Sequence, residues 1–432
     1  MQNEPKQTVA KVLTLSLGAT TAMWLFSYTA LLFSGRTGGE ILFVLGALCL
    51  PIASRYCAKL REGAWVGFVS ALLNLLLVGS IVGGKAPSDM MVAGIFWIAG
   101  LFVVSITLGI IGASLHGRLI QCTCNVDWRF GFLCVATTLV FLMLVTGGLV
   151  TGMEAGLAVP DWPNSYGHNM LLYPLTEMIS TENEGVFFEH AHRLTGMLIG
   201  LTSLVMVVCV WKWSSSKSIR FLALLIFVCV CVQGLLGGLR VTGYLTLSQD
   251  RAVLSPNIWI GVTHGVVGQL IFAGFVWLSV MMSPRWGNSE RASNKKDGMW
   301  SGALVAIMVL QLLLGAIYRH MMSDPELASK ATHVLYAHIA LAILILVFAC
   351  VMGLRLLGRS NRTLKNCGMM VLVLVGLQLL LGGGALIAVL LRDGADIPLI
   401  EVLVTTAHQA NGALLLGACF ATFAWVRRMI ST

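Results

Sequence analysis

The sequence predicts an all-α integral membrane protein of about twelve transmembrane helices. Two observations predict it. Long apolar runs recur from end to end, in a chain of 432 residues that is 57% hydrophobic and 11% charged, with mean hydropathy +0.86; soluble domains carry about 25% charged residues. Bilayers also leave no water to satisfy backbone amides, so runs of about 20 apolar residues must close their hydrogen bonds internally as helices.

The spans read as 12–34, 40–54, 64–83, 92–115, 130–153, 188–211, 220–243, 258–282, 299–320, 332–354, 366–391 and 401–426. The second is short, about 15 residues, and reads equally as a re-entrant segment. Of the 28 Lys and Arg, 20 fall on one alternating set of loops, while the other set holds 14 of the 19 Asp and Glu. That asymmetry is the positive-inside pattern, and it places both termini in the cytoplasm. It also accounts for the net charge of +9 without a nucleic-acid partner. The first apolar run, from Leu13, is too long for a signal-peptide core. A multi-pass protein of a bacterial plasma (inner) membrane is expected.

None of the 11 cysteines falls in an outward loop, which argues against structural disulfides. Cys122 and Cys124 form an inward C-x-C with no partner pair and read as free thiols.

The charged stretch 116–129 divides the chain. Before it (1–120) lie four spans with no Asp, Glu or His inside the membrane; after it lie eight spans that repeat, in segments 128–290 and 297–432. Alternate helices of that block end in LVTGGLVTG (144–152), VQGLLGGLRVTG (232–243), LQLLLGAIYRH (310–320) and LQLLLGGGALI (377–387). Small residues at these ends let backbones approach closely. Each is followed by an outward loop and a helix with one histidine in its first turns: His192, His264, His338 and His408, at intervals of 72, 74 and 70 residues. The repeating unit is a helical hairpin used four times or a four-helix half used twice.

A polar group in hydrocarbon needs a partner, so intramembrane histidines face the bundle interior. Neutral imidazole ligates iron, and bundles hold cofactors between facing helices. Four histidines in register therefore predict two pairs of heme-iron ligands; the competing reading is four core histidines, each bonded to a backbone carbonyl. Within FFEHAHRLTG (187–196), Glu189 and His192 share a helix face, and Arg193 stands four residues after Glu189. A carboxylate one turn from a heme ligand handles protons at a bound substrate; the same spacing also makes a Glu–Arg pair that steadies the helix start. His190 points roughly 200° away from His192 and is the poorer ligand.

The outward loop GMEAGLAVPDWPNSYGH (152–168) either caps the first site or supplies interfacial anchors through Trp162 and Tyr166. Arg240, Arg319 and Arg392 stand near outward helix ends, placed to hold heme propionates or to snorkel to headgroups. His116, His168 and His320 sit in or near loops, His333 lies off the face of His338, and Gln409 and Asn411 read as satisfying polar neighbours.

GGLVTGMEAGLAVPDWP (147–163), E-x-x-H-R at Glu189–Arg193, VTHGVVG (262–268) and AHQANGALLL (407–416) together resemble the heme A synthase family, over about residues 128–432. The resemblance implies an eight-helix core of two pseudo-symmetric four-helix bundles, to which this chain adds an N-terminal extension. It implies that His192 and His264 ligate the substrate, heme O, in the N-terminal half, that His338 and His408 ligate a heme b cofactor in the C-terminal half, and that Glu189 is the catalytic carboxylate. The family oxidises the C8 methyl of heme O to a formyl group through successive hydroxylations and loss of water, serving cytochrome oxidase assembly. The hydroxyl oxygen is thought to derive from water, although molecular oxygen is required.

Implied partners are a heme O synthase and cytochrome oxidase subunits. The sequence names no electron donor and leaves a homo-oligomer open. Some members carry a loop cysteine pair where Val159 and Ser165 stand here, which implies the cysteine-free branch; many carry Arg where Gly152 stands, which implies the loss of a propionate or loop contact. The competing functions are a di-heme membrane cytochrome and a heme carrier or assembly factor, neither of which needs Glu189. A secondary transporter fits the helix count and leaves the histidine register unexplained.

Overall fold

The computed structural model describes residues 4–32, 36–83, 87–117, 126–179, 184–242, 258–324, 327–393 and 397–430. Cys122 and Cys124 lie outside the described residues. The helices are α1 Glu4–Leu32, α2 Arg36–Ser54, α3 Leu60–Val82, α4 Pro87–Ser114, α5 Trp128–Gly152, α6 Leu175–Met178, α7 Glu184–Trp213, α8 Lys217–Thr242, α9 Ile258–Met281, α10 Pro284–Gly287, α11 Lys295–Met322, α12 Ala328–Leu357, α13 Arg362–Leu390 and α14 Leu399–Arg428. Among the described residues, 12 of these are long and apolar enough to cross a membrane. The chain is an all-α, multi-pass membrane protein whose only strands there are the two-residue β1 (Asn164–Ser165) and β2 (His168–Asn169).

Several helices outrun the hydropathic stretches that announce them, because polar ends continue the intrahelical ladder. The short second span is one continuous 19-residue helix with Pro51 inside it, not a re-entrant turn. The nine described cysteines are free thiols.

The chain forms two compact units. One comprises residues 1–139 and 163–205, and the other residues 140–162 and 206–432.

In the first unit, α1 packs on α2 and α3, and α4 on α2 and α3. A polar seam joins α1 to α3: the Ser16 hydroxyl donates to the Val66 carbonyl (3.0 Å), Thr20 and Ser70 share a 2.8 Å hydroxyl bond, and Trp24 Nε1 donates to Asn74 Oδ1 (2.8 Å). In an apolar solvent such bonds supply the specificity that burial alone does not. The start of α5 is tied to α1, where Gln7 accepts from the Trp128 amide (3.0 Å) and donates to Asp127 (3.2 Å).

The same unit holds an ordered segment after Pro163. β1 and β2 pair antiparallel through Ser165↔His168, joined by Tyr166 (φ 49°) and Gly167 (φ 77°). Positive φ at both central residues makes this a type I′ turn, the form that matches strand twist. The strain at Tyr166 is held by stacking on Tyr173 (centroids 5.8 Å). Asn169 then caps a 3-10 turn, Met170–Leu172, by accepting from the Leu171 amide (3.0 Å).

In the second unit, α11–α12 and α13–α14 are antiparallel neighbours, and α9 packs on α8, α11 and α14. Their shared core includes Leu304, Met352, Leu356, Val371 and Leu416. A capping box at Asn294–Asp297 starts α11, and the wholly buried Asp297 pairs with Arg355 (2.8 Å) and Arg359 (2.6 Å). This cross-link fixes the ends of α11 and α12 opposite the histidines.

Candidate functional site

His338 and His408 come together in the second unit. Their ring centroids are 6.4 Å apart with planes at 72°. Two metal–imidazole bonds of about 2 Å each put ring centroids roughly 6 Å apart, so the separation suits two imidazoles on opposite faces of one iron. Each ring is seated by the preceding helix. On α11, Gln311 Nε2 donates to the His338 carbonyl (3.0 Å) and lies 3.2 Å from its Nε2. On α13, Gln378 Nε2 lies 3.2 and 3.3 Å from the two ring nitrogens of His408, while Asn411 donates to Gln378 Oε1 (2.7 Å).

Four residues after each glutamine is a glycine facing the ring. A Cβ on Gly315 would sit 3.0 Å from His338 Cε1, and one on Gly382 would sit 2.9 Å from His408 Cε1. The pattern recurs a third time at His264: Gln233 Nε2 donates to its carbonyl (2.6 Å), and a Gly237 Cβ would sit 3.2 Å from Cε1. The glutamines were missed in the sequence although the signal, Q-x-x-x-G before each of these three histidine helices, was present. Gln233 and Gln311 donate to the carbonyl of their histidine, whereas Gln378 meets the ring nitrogens of His408. His264 Nδ1 and His338 Nδ1 are buried with no hydrogen-bond partner among the described residues. An imidazole nitrogen left so in hydrocarbon is costly, and iron ligation removes that cost. The residues present fit heme.

In the first unit, Glu189 is 4% exposed and pairs with Arg193 at 2.5 Å. His192 is half-buried, one turn beyond Glu189 on α7. Arg193 also donates to the Asn164 carbonyl (3.1 Å), so the pair is anchored to the hairpin as well as within its helix. His190 is wholly buried, with Nδ1 3.3 Å from Ser165 Oγ and its ring 4.9 Å from Tyr173, while its Nε2 is buried with no hydrogen-bond partner among the described residues. Ser165, one of the two positions that carry cysteine in some relatives, is therefore a buried hydrogen-bonding partner; Val159 is likewise fully buried.

The candidate propionate residues have protein partners. Arg319 donates to the Thr151 carbonyl (2.6 Å), Arg240 packs over Gly156, and Arg392 donates from Nε to Glu401 (2.8 Å). Trp162 packs on Gly238, and a Cβ on Gly152 would meet Val402 at 3.0 Å, so an arginine there needs that contact reopened. His320, set aside in the sequence, lies against Gly261 and lines a cavity of about 160 Å³ with Thr151, Glu154, Arg240 and Ser323. No group of three or more His, Cys, Asp or Glu suited to a bare metal ion occurs among the described residues.

A family model described as "Cytochrome oxidase assembly protein" matches residues 130–420. The chain belongs to that family. Within it, curated proteins named heme A synthase are similar. That of Caulobacter sp. (strain K31) is 26% identical over 349 residues, covering 69% of this chain and 95% of its own. That of Bradyrhizobium sp. (strain ORS 278) is 28% identical over 210 residues, 43% of this chain and 55% of its own. A third, from Parvibaculum lavamentivorans, is 28% identical over 213 residues, 44% and 58% respectively. The chain thus spans about half the length of most curated relatives it matches. The family match begins where α5 begins, so α1–α4 lie outside it.

Proposed function

We propose that this chain is a heme A synthase, oxidising the C8 methyl of heme O to a formyl group to give heme A for cytochrome oxidase assembly. The observation that carries the reading is Glu189: a buried carboxylate one turn from His192, which neither a di-heme cytochrome nor a heme carrier requires. His192 and His264 are the ligands to the substrate heme O. The helices that carry them begin at Glu184 and Ile258, which puts both histidines within the first turns.

His338 and His408 hold a heme b cofactor, which supplies electron transfer when bound. Gln311 and Gln378 orient those two rings, and Gly315 and Gly382 leave room for them. Glu189 is the acid–base group of the reaction: it takes protons released as the methyl group is oxidised, with water supplying the oxygen and molecular oxygen the oxidant, and serves again as the hydrated aldehyde loses water; Arg193 holds the carboxylate in place. The repeat supports a division into an extension (1–120), a substrate half (128–290) and a heme b half (297–432). The setting is a bacterial plasma membrane with both termini cytoplasmic, where a heme O synthase delivers substrate and oxidase subunits accept product. A homo-oligomer is compatible with this arrangement.

The test is heme analysis. The chain is co-expressed with a heme O synthase in a host that makes no heme A, and extracted hemes are identified by chromatography and mass spectrometry. Heme A or its hydroxylated precursor is expected with the natural chain, and neither with Glu189→Gln, which keeps its bound heme. Unaltered heme O on a folded natural chain, in a host supplying a compatible electron donor, would replace this reading with a cytochrome or carrier.

A further inference from the structure

We propose that the N-terminal four helices are a positioning device for the helix start that carries Glu189 and His192, acting through the segment 164–173. All the contacts that carry this lie within the first compact unit.

The first contact is backbone on backbone. Gly79 and Gly83, at the end of α3, face the 3-10 turn, and a Cβ on either would land on the carbonyl oxygen of Leu171 or Leu172 respectively. Only a residue without a side chain permits that approach. A helical spacer or lipid-facing module needs no such seat. The second contact comes from α1, where the Tyr28 ring meets Phe187 edge-on (centroids 6.1 Å, planes at 89°), two residues before Glu189.

From the seated turn the path to the carboxylate is short. Tyr173, the residue after the turn, packs on His190, and Ser165 bonds to the same imidazole. Asn164, at the start of the hairpin, accepts from Arg193, which also bonds to Glu189. Moving the turn therefore moves both groups that flank Glu189, the imidazole beside it in sequence and the guanidinium that pairs with it. Catalytic groups must hold productive geometry to within about 0.5 Å, and a two-strand hairpin with two residues per strand does not hold itself. The extension supplies the rigidity. Gly79, Gly83 and Tyr28 are thus positioning residues; none is proposed to touch the substrate.

This role rests on the heme A synthase reading for its consequence, and the test separates the two. Full-length Gly79→Val and Gly83→Val proteins are compared with the natural chain and with Gly100→Val, a control in α4 where a Cβ meets nothing within 4 Å. Amide exchange is followed by mass spectrometry across 164–178 and 185–193, alongside the optical spectrum of bound heme and the yield of heme A from heme O.

The seat variants are expected to exchange at least about tenfold faster in both segments and to lose at least about tenfold in heme A yield. The heme spectrum and the Gly100→Val protein should match the natural chain. Tyr28→Leu, which keeps apolar volume, should speed exchange at 185–193 and leave 164–178 protected, and it serves if a valine variant does not fold. Unchanged exchange in folded seat variants, or an equal change in the control, overturns the proposal. The exchange result reads the seat whether or not heme O is converted.

Discussion

Gly382→Ala replaces one hydrogen with a methyl group and should break the proposed C-terminal heme site. The added Cβ would lie 2.9 Å from His408 Cε1 and 3.3 Å from Nδ1. Carbon atoms pack best at about 3.5–4.0 Å, so the ring must retreat by roughly 0.6–1 Å or the α13 backbone must yield. Such overpacking costs about 1–3 kcal/mol, which corresponds to a loss of about 5- to 150-fold in heme affinity at 1.4 kcal/mol per tenfold. The adjacent Gly383 is the internal control, because a Cβ there meets nothing within 4 Å. Both replacements raise helix propensity by the same amount, so their difference isolates the ring contact. The assay is heme b per protein after purification, with electron paramagnetic resonance to report bis-imidazole low-spin iron. Heme and spectrum should be depleted in Gly382→Ala and preserved in Gly383→Ala. Equal behaviour of the two, in either direction, would refute the claim that this glycine is the seat of His408.

Gln311→Ala should lower heme b retention about 10- to 100-fold, the usual cost of losing a group that orients a ligand. Gln311→Glu should restore less than the natural residue, because it cannot donate to the His338 carbonyl; equilibrium heme titration distinguishes them. Asp297→Ala leaves Arg355 and Arg359 facing a buried gap and removes a capping box, and should destabilise the second unit by about 2–3 kcal/mol, read as a lower midpoint in thermal or denaturant unfolding in detergent. At Asp127, burial raises the carboxyl's pKa, but hydrogen bonds from Arg129 and Gln7 outweigh it and hold it below its ordinary 3.8. A depressed folded value contributes stability that is present above pH 3.8 and lost as pH falls through the folded value. The natural chain should therefore lose thermal stability in acid below about pH 4, and Asp127→Asn should be less stable at neutral pH with a smaller acid loss, as unfolding scans across pH 3–6 would record.

The sequence by itself determined much of this protein. Apolar run lengths placed all twelve helices, because a run of about 20 apolar residues in a bilayer core satisfies its own backbone only as a helix. The intervals between His192, His264, His338 and His408 announced a repeat, and the i, i+4 spacing of Glu189 and Arg193 announced an ion pair that the structure makes. These features are local, or periodic along one helix, and are therefore readable in one dimension. The tertiary structure decided what depends on which surfaces meet. The worth of Gly382 over Gly383, or of Gly79 over Gly100, lies in the atom opposite. The use of Gln233, Gln311 and Gln378 lies in a histidine on the next helix. The place of His320 and the engagement of Arg319 and Arg392 were likewise invisible, since a side chain at a helix end is free or tied according to the neighbours that packing brings. The N-terminal extension shows the same division. Its four spans were plain in the sequence, and its seat on the turn before Glu189 exists only where two distant backbones touch.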